Sequence, residues 1–148
     1  RNPQMPTNLV AVDSLVANEF QVQIDNKPML GVFRVDGLTT FKLNDKGERV
    51  QEPFRIIKMV QRDANNAFNT WLRETITPNA KKPRRTVTIM AVDDGIETRR
   101  WTVKGAWIQE VTYSAFDTAS HDMVEEIVTI YYDSIEEAFP ATPDLGIQ

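Results

Sequence analysis

The sequence predicts a mainly β fold, a β-sandwich or barrel-like arrangement with one flanking α-helix and a projecting hairpin or loop. Three observations carry this. Residues Arg84 to Thr112 read as two strands around Asp94-Gly95, a dipeptide that accepts the positive φ of a tight hairpin turn. Phe20, Val22 and Ile24 alternate with Glu19, Gln21, Gln23 and Asp25 at the period of a half-buried strand. Only one stretch, Ala64, Phe68, Trp71, Leu72 and Ile76, has the spacing of an amphipathic helix.

Taken in order, residues 1–17 begin with two prolines among polar neighbours and suit an N-terminal arm, with a short apolar stretch from Leu9 to Ala17. The strand through Ile24 follows. Asn26-Lys27-Pro28 turns the chain into a second strand, Leu30 to Val35, which Asp36-Gly37 ends. Residues 39–53 alternate weakly and carry an Asn-Asp-Lys-Gly turn signal, so an extended arm or projecting hairpin is expected there. Phe54 to Val60 resumes strand character. Asp63 is the expected N-cap of the helix, and Pro78 closes it. In the central hairpin Val87, Ile89 and Ala91 share a face, and so do Trp101, Val103, Gly105 and Trp107. Val111 to Ala115 and Val124 to Tyr132 are further strands, the last with Val124, Val128, Ile130 and Tyr132 on one face interrupted by Glu126. Residues 138–148 form a proline-containing tail. Six or seven strands with one helix are the basis of the fold class.

A chain of 148 residues suits a single domain, residues 1–148, large enough to bury a sizeable core. Arg1 is not an initiator, so a trimmed start is expected, and no secretion signal opens the chain. The absence of cysteine removes disulfides and thiolate metal sites and fits a cytoplasmic origin. Charge is lopsided. Residues 110–148 hold nine Asp or Glu and no Lys or Arg, whereas residues 1–109 hold all 17 Lys and Arg against 12 acids. One reading is a solvated acidic end. The other is a contact between copies, in which Lys81, Lys82, Arg84 and Arg85 meet Glu136 and Glu137.

Catalytic chemistry is not expected. His121 lies between Ser120 and Asp122, but neighbours in sequence diverge in direction and cannot form a relay. Asp93-Asp94 matches turn chemistry with Gly95 better than a calcium loop. No phosphate loop, zinc spacing or nucleotide fingerprint is present, so no catalytic residue, cofactor or metal is assigned. Two other classes stay open: a single-strand nucleic-acid module, suggested by Lys81-Lys82-Pro83-Arg84-Arg85 before an aromatic-rich sheet, and a small-ligand barrel. The pI near 5.0 opposes sustained phosphate contact.

Five blocks occur in an order that resembles the tail-tube family of contractile phages and contractile injection systems, related in fold to the hexameric ring protein of type VI secretion. They are Asn18–Asp25, Gly31–Leu38, the helix block Asn66–Leu72, Arg84–Asp94 and Arg99–Tyr113. Phe41-Lys42-Leu43 stands where that family often has a Tyr-Arg-Glu-Gly-like segment, and Val60-Gln61-Arg62-Asp63 where a Lys-Arg-Gly-like run is common. The resemblance implies a structural inner-tube subunit, or a tube-end or baseplate-proximal paralogue of it. Six copies would form a ring, and rings would stack into a hollow conduit for protein effector or DNA. The implied partners are further copies of the chain, a surrounding sheath, and baseplate and tube-terminating proteins, with no membrane insertion. Assembly would take place in the bacterial cytoplasm. Phe41, Leu43 and Val50 are too apolar to be left in water within the polar 39–53 segment, so they are expected to be buried against a neighbour while Lys42, Lys46 and Arg49 meet acidic groups, and the resemblance implies that this segment bridges rings.

Overall fold

The structure, a computed structural model, describes residues 19–140. The arm at 1–17 and the tail beyond residue 140 lie outside the described residues. Eight strands and one helix follow in the order β1 (Phe20–Ile24), β2 (Lys27–Pro28), β3 (Val32–Asp36), β4 (Phe54–Met59), α1 (Ala67–Ile76), β5 (Arg85–Asp93), β6 (Ile96–Tyr113), β7 (Glu125–Tyr131) and β8 (Ser134–Ala138). All pairings are antiparallel, in the order β2-β1-β5-β6-β7-β4-β3, with β8 on β6.

The organising element is β6, whose 18 residues absorb the segment expected as a separate strand from Val111. Its first half pairs with β5 and β8, and its second half with β7. Asp94 and Gly95 form the β5–β6 turn with φ of 52° and 79°, as the dipeptide predicted. Asp25 and Asn26, at φ 48° and 69°, make the β1–β2 turn in the same way, one residue earlier than expected.

Two of the three bulges in β6 let one strand serve both halves. Val87 pairs with Val103 but Arg85 with Ala106, so β6 carries an extra residue there, with Gly105 at φ 66°. An inserted residue flips every later side chain to the other face. Trp101 and Val103 therefore face the core before the bulge, and Ala106 and Ile108 after it. This corrects the expectation that Gly105 and Trp107 continue the Trp101–Val103 face. Trp107 turns outward instead and stacks on Tyr131 at 5.2 Å. A second bulge between Ile108 and Glu110 resets the phase once more, and Val111 packs against the core. A Cβ on Gly105 would overlap the Asp133 side chain while holding a backbone angle that L residues rarely adopt. Gly105→Ala is accordingly expected to destabilise the protomer by about 1–3 kcal/mol, read as a lowered urea midpoint at unchanged slope.

Val22 and Ile24, Phe54 and Ile56, Val87 and Ile89, Val103, Ala106, Ile108, Val128, Ile130 and Tyr132 join in one cluster with Phe68 and Trp71. The two halves of the sheet thus close on a shared interior, the barrel-like sandwich that the strand pattern predicted. Two elements differ from expectation. Ser134–Ala138 is an edge strand rather than a solvated end, its carboxylates matched by β6 cations: Glu137 to Arg99 at 2.6 Å and Glu136 to Lys104 at 2.9 Å. Glu126 is not an interruption but an inward residue, 2% exposed, paired across strands with fully buried Lys58 at 2.8 Å. The ammonium also donates to Met59 O and lies 4.8 Å from the Phe68 ring centroid, and the second Glu126 oxygen accepts from Tyr113.

The helix starts later than expected. Asn66, not Asp63, is the N-cap and accepts from Asn69 N at 2.8 Å, whereas Asp63 makes a turn to Asn65 N. Ala64 therefore falls outside it. Phe68, Trp71, Leu72 and Thr75 line the inner face, and Ile76 is exposed. The reason is angular: at 3.6 residues per turn Thr75 lies about 20° from Phe68, Ile76 about 80°. Trp71 Nε1 donates to Pro83 O at 3.1 Å, tying the helix to the approach of β5.

Candidate assembly surfaces

Between β3 and β4, residues 39–52 leave the sheet and return as a hairpin. Asn44 Oδ1 accepts from Lys46 N and Glu48 N, both at 2.9 Å, and Gly47 N donates to Asn44 O with Gly47 at φ 79°. This is a type I turn completed by a left-handed glycine, the chemistry that Asn-Asp-Lys-Gly encodes. Leu43 and Arg49 pair across it, and Val50 N donates to Lys42 O. Alternation then places Phe41, Leu43 and Arg49 on one face and Lys42, Glu48 and Val50 on the other.

The two faces differ in character. On the first, Phe41 is 64% exposed and Leu43 46%, and the Arg49 guanidinium sits 5.3 Å from the Phe41 ring centroid. On the second, Lys42 is ion-paired to Glu52 at 2.6 Å, Asn44 donates to Glu48, and Val50 is half-buried. Of the six residues expected to act together, the structure therefore brings Phe41, Leu43 and Arg49 to one surface, separates Lys42 and Val50 from them, and leaves Lys46 at the tip. The root is anchored. Tyr132 donates to Glu52 O at 2.8 Å, and Gln51 donates to Asp133 O. Burial pushes the Tyr132 hydroxyl above the ordinary tyrosine range, which keeps it a donor.

The charges of the expected contact between copies have neighbours within their own chain. Arg84 pairs with Asp133 at 3.0 Å, and Arg85 with Glu74 at 2.5 Å and Asp25 at 3.5 Å. Lys82 donates to Thr75 O, and Lys81 is exposed. With Glu136 and Glu137 matched on β6, four of those six charges already have ion-pair partners within the chain.

Sequence reading missed a surface at the opposite end of the same sheet. Phe33, Met59, Met123, Asp117, Asp122 and Glu125 line a groove of about 610 Å³ where β4 ends and β7 begins. Phe33 is 44% exposed and Met123 70%. Its loop is ordered locally, with Asp117 accepting from Ala119 N and Ser120 Oγ from Asp122 N. A tertiary groove of this kind leaves no periodic signal, because its walls come from residues ninety positions apart.

Among the described residues no group of three His, Cys, Asp or Glu is placed to hold a metal ion, and no helix is long and apolar enough to cross a membrane. Open strand edges, a hairpin with Phe41 and Leu43 exposed, and a groove of mixed character are the surfaces the described residues leave uncovered. The family model described as the T4-like virus tail tube protein gp19 matches residues 16–136, and the chain belongs to that family. It is a structural tube subunit. No curated protein matches it. Solved structures share the fold. A chain from an extracellular contractile injection system, the PVC sheath-tube complex in the extended state, is 18% identical with a TM-score of 0.67, over 92% of this chain and 99% of that one. A chain from the PVC sheath/tube terminator in the extended state is 16% identical with a TM-score of 0.70, over 86% and 98%. The Hcp1 protein from the E. coli EAEC 042 pathovar is 12% identical with a TM-score of 0.59, over 84% and 93%.

Proposed function

We propose that six copies of this chain, each a single domain, close into a ring through their open strand edges, and that rings stack into a hollow conduit inside a contractile particle. The conduit belongs to a phage tail or an injection device assembled in the bacterial cytoplasm. Its partners are a sheath, a baseplate and a tube terminator, and its lumen carries protein or DNA. The subunit performs no chemistry of its own. The observation that carries the reading is the hairpin of residues 39–52, which is ordered by its own turn yet holds Phe41 and Leu43 out in solvent. Both side chains are already partly covered, so burying what remains exposed supplies roughly 1–2 kcal/mol each before ordering costs. Repeated around a ring, even a small surplus makes stacking cooperative. Arg84 and Arg85 already have partners in their own chain, so charge contacts between copies contribute orientation more than affinity, at about 0–1 kcal/mol per surface pair.

Replacing residues 41–50 with a Gly-Ser linker tests the reading. The expected result is a folded protomer by circular dichroism that still forms single rings, with long tubes absent in electron micrographs. Tubes of normal length from this variant would overturn it.

A further inference from the structure

We infer that the groove lined in part by Phe33, Met59 and Met123 is the socket into which the Phe41–Leu43–Arg49 face of a second copy docks, giving a directional head-to-tail contact. The inference rests on the stacked-ring reading above and adds the receiving surface. Two observations carry it.

The first is placement. β3 runs from Val32 to Asp36 and β4 returns from Phe54 to Met59. The hairpin leaves from Asp36 and re-enters at Phe54, and Tyr132, just past the end of β7, pins its root. The groove lies where β4 ends at Met59, β6 ends near Ser114 and β7 starts at Glu125. Projection and hollow thus occupy opposite ends of one sheet, separated by the length of β4, about 17 Å at 3.3 Å per residue. A contact between two different surfaces at opposite ends of a protomer is heterologous and does not close as a two-fold pair does. Where its rotation does not close it into a ring, it repeats as an open stack.

The second is complementarity. One hairpin face presents two exposed apolar side chains with a guanidinium over the aromatic ring, and the carboxylates of Glu48 and Glu52 belong to the other face. The groove is lined by Phe33, Met59 and Met123 together with three carboxylates, Asp117, Asp122 and Glu125, and by no Lys or Arg. A Phe–Arg pair entering such a site buries its ring against methionine and places its cation at the acidic rim. Methionine suits a lining that must accommodate an incoming aromatic ring.

The test uses the whole chain. It contains no cysteine, so Phe41→Cys combined with Met123→Cys introduces a unique pair on two exposed positions. Oxidation of assembled tubes is expected to give a ladder of dimers, trimers and longer species on a non-reducing gel, and each single variant only monomer. In parallel, Arg49→Glu and Asp122→Lys are each expected to lower the tube fraction at least tenfold, and the double variant to recover most of it. Normal tubes from the cysteine pair that yield only monomer, or charge reversals that leave tube yield unchanged, overturn the socket. If those tubes nevertheless disappear in the Gly-Ser hairpin variant, the stacking reading stands and only the socket is wrong. If they persist in that variant, the stacking reading itself falls.

Discussion

Glu126→Ala is expected to destabilise the protomer by about 3–5 kcal/mol, because it strips the counter-ion from an ammonium that has no access to solvent. Lys58 would keep the Met59 carbonyl and the Phe68 ring, and neither replaces a carboxylate at 2.8 Å. Tyr113 would lose its acceptor as well. The double change Lys58→Met with Glu126→Leu is expected to come back to within about 1–2 kcal/mol of the parent or to exceed it, since removing both charges removes both desolvation penalties. Urea titration of the two single variants and the double variant, read as a mutant cycle, measures this directly. A Glu126→Ala chain with the parent's midpoint would mean that water reaches the pair.

Trp71→Ala is the other large effect. Trp71 is 1% exposed, packs with Phe68 under the sheet, and donates its indole N–H to Pro83 O. Truncation opens a cavity and leaves that carbonyl without its donor, at a cost of about 3–5 kcal/mol. For a chain of this size that corresponds to a melting temperature lower by roughly 6–20 °C. Soluble yield should fall before any contact between copies is affected. Ile76→Ala on the same helix serves as the contrast, since its exposed side chain predicts a change within about 0.5 kcal/mol. Equal losses from both variants would show that the helix is seated with a different face inward.

What could be read from sequence alone was what short-range chemistry encodes. Asp94-Gly95 specified a turn, Phe20-Val22-Ile24 a strand, and Phe68 and Trp71 the buried side of a helix, each through spacing or backbone preference over a few residues. The hairpin tip was legible for the same reason. Features set by distant partners were not. Glu126 looks like an error on an apolar strand face until Lys58, 68 positions earlier, is brought opposite it. β8 carries too many carboxylates for a strand until Arg99 and Lys104 stand beside it. Gly105 could equally have been a residue in register, and the bulge it permits reversed the facing of Trp107. The proposed assembly surface was half legible. Phe41 and Leu43 are conspicuous in a polar segment, whereas the groove built from Phe33, Met59 and Met123 exists only after folding.

The length of β6 bears on how the subunit fails. A sandwich whose two layers own separate strands can lose one layer while the other persists. Here a single backbone is hydrogen-bonded to β5 and β8 along its first half and to β7 along its second, with side chains from both stretches in one interior cluster. Peeling away either half strips a ladder from the strand that the other half depends on, so the opening of the two halves is coupled. Fraying is expected to stay with the edge strands β2, β3 and β8, and the two halves joined through β6 to open together. In a tube built of such units, load on one half of a protomer is expected to pass into the other through β6 rather than stay local.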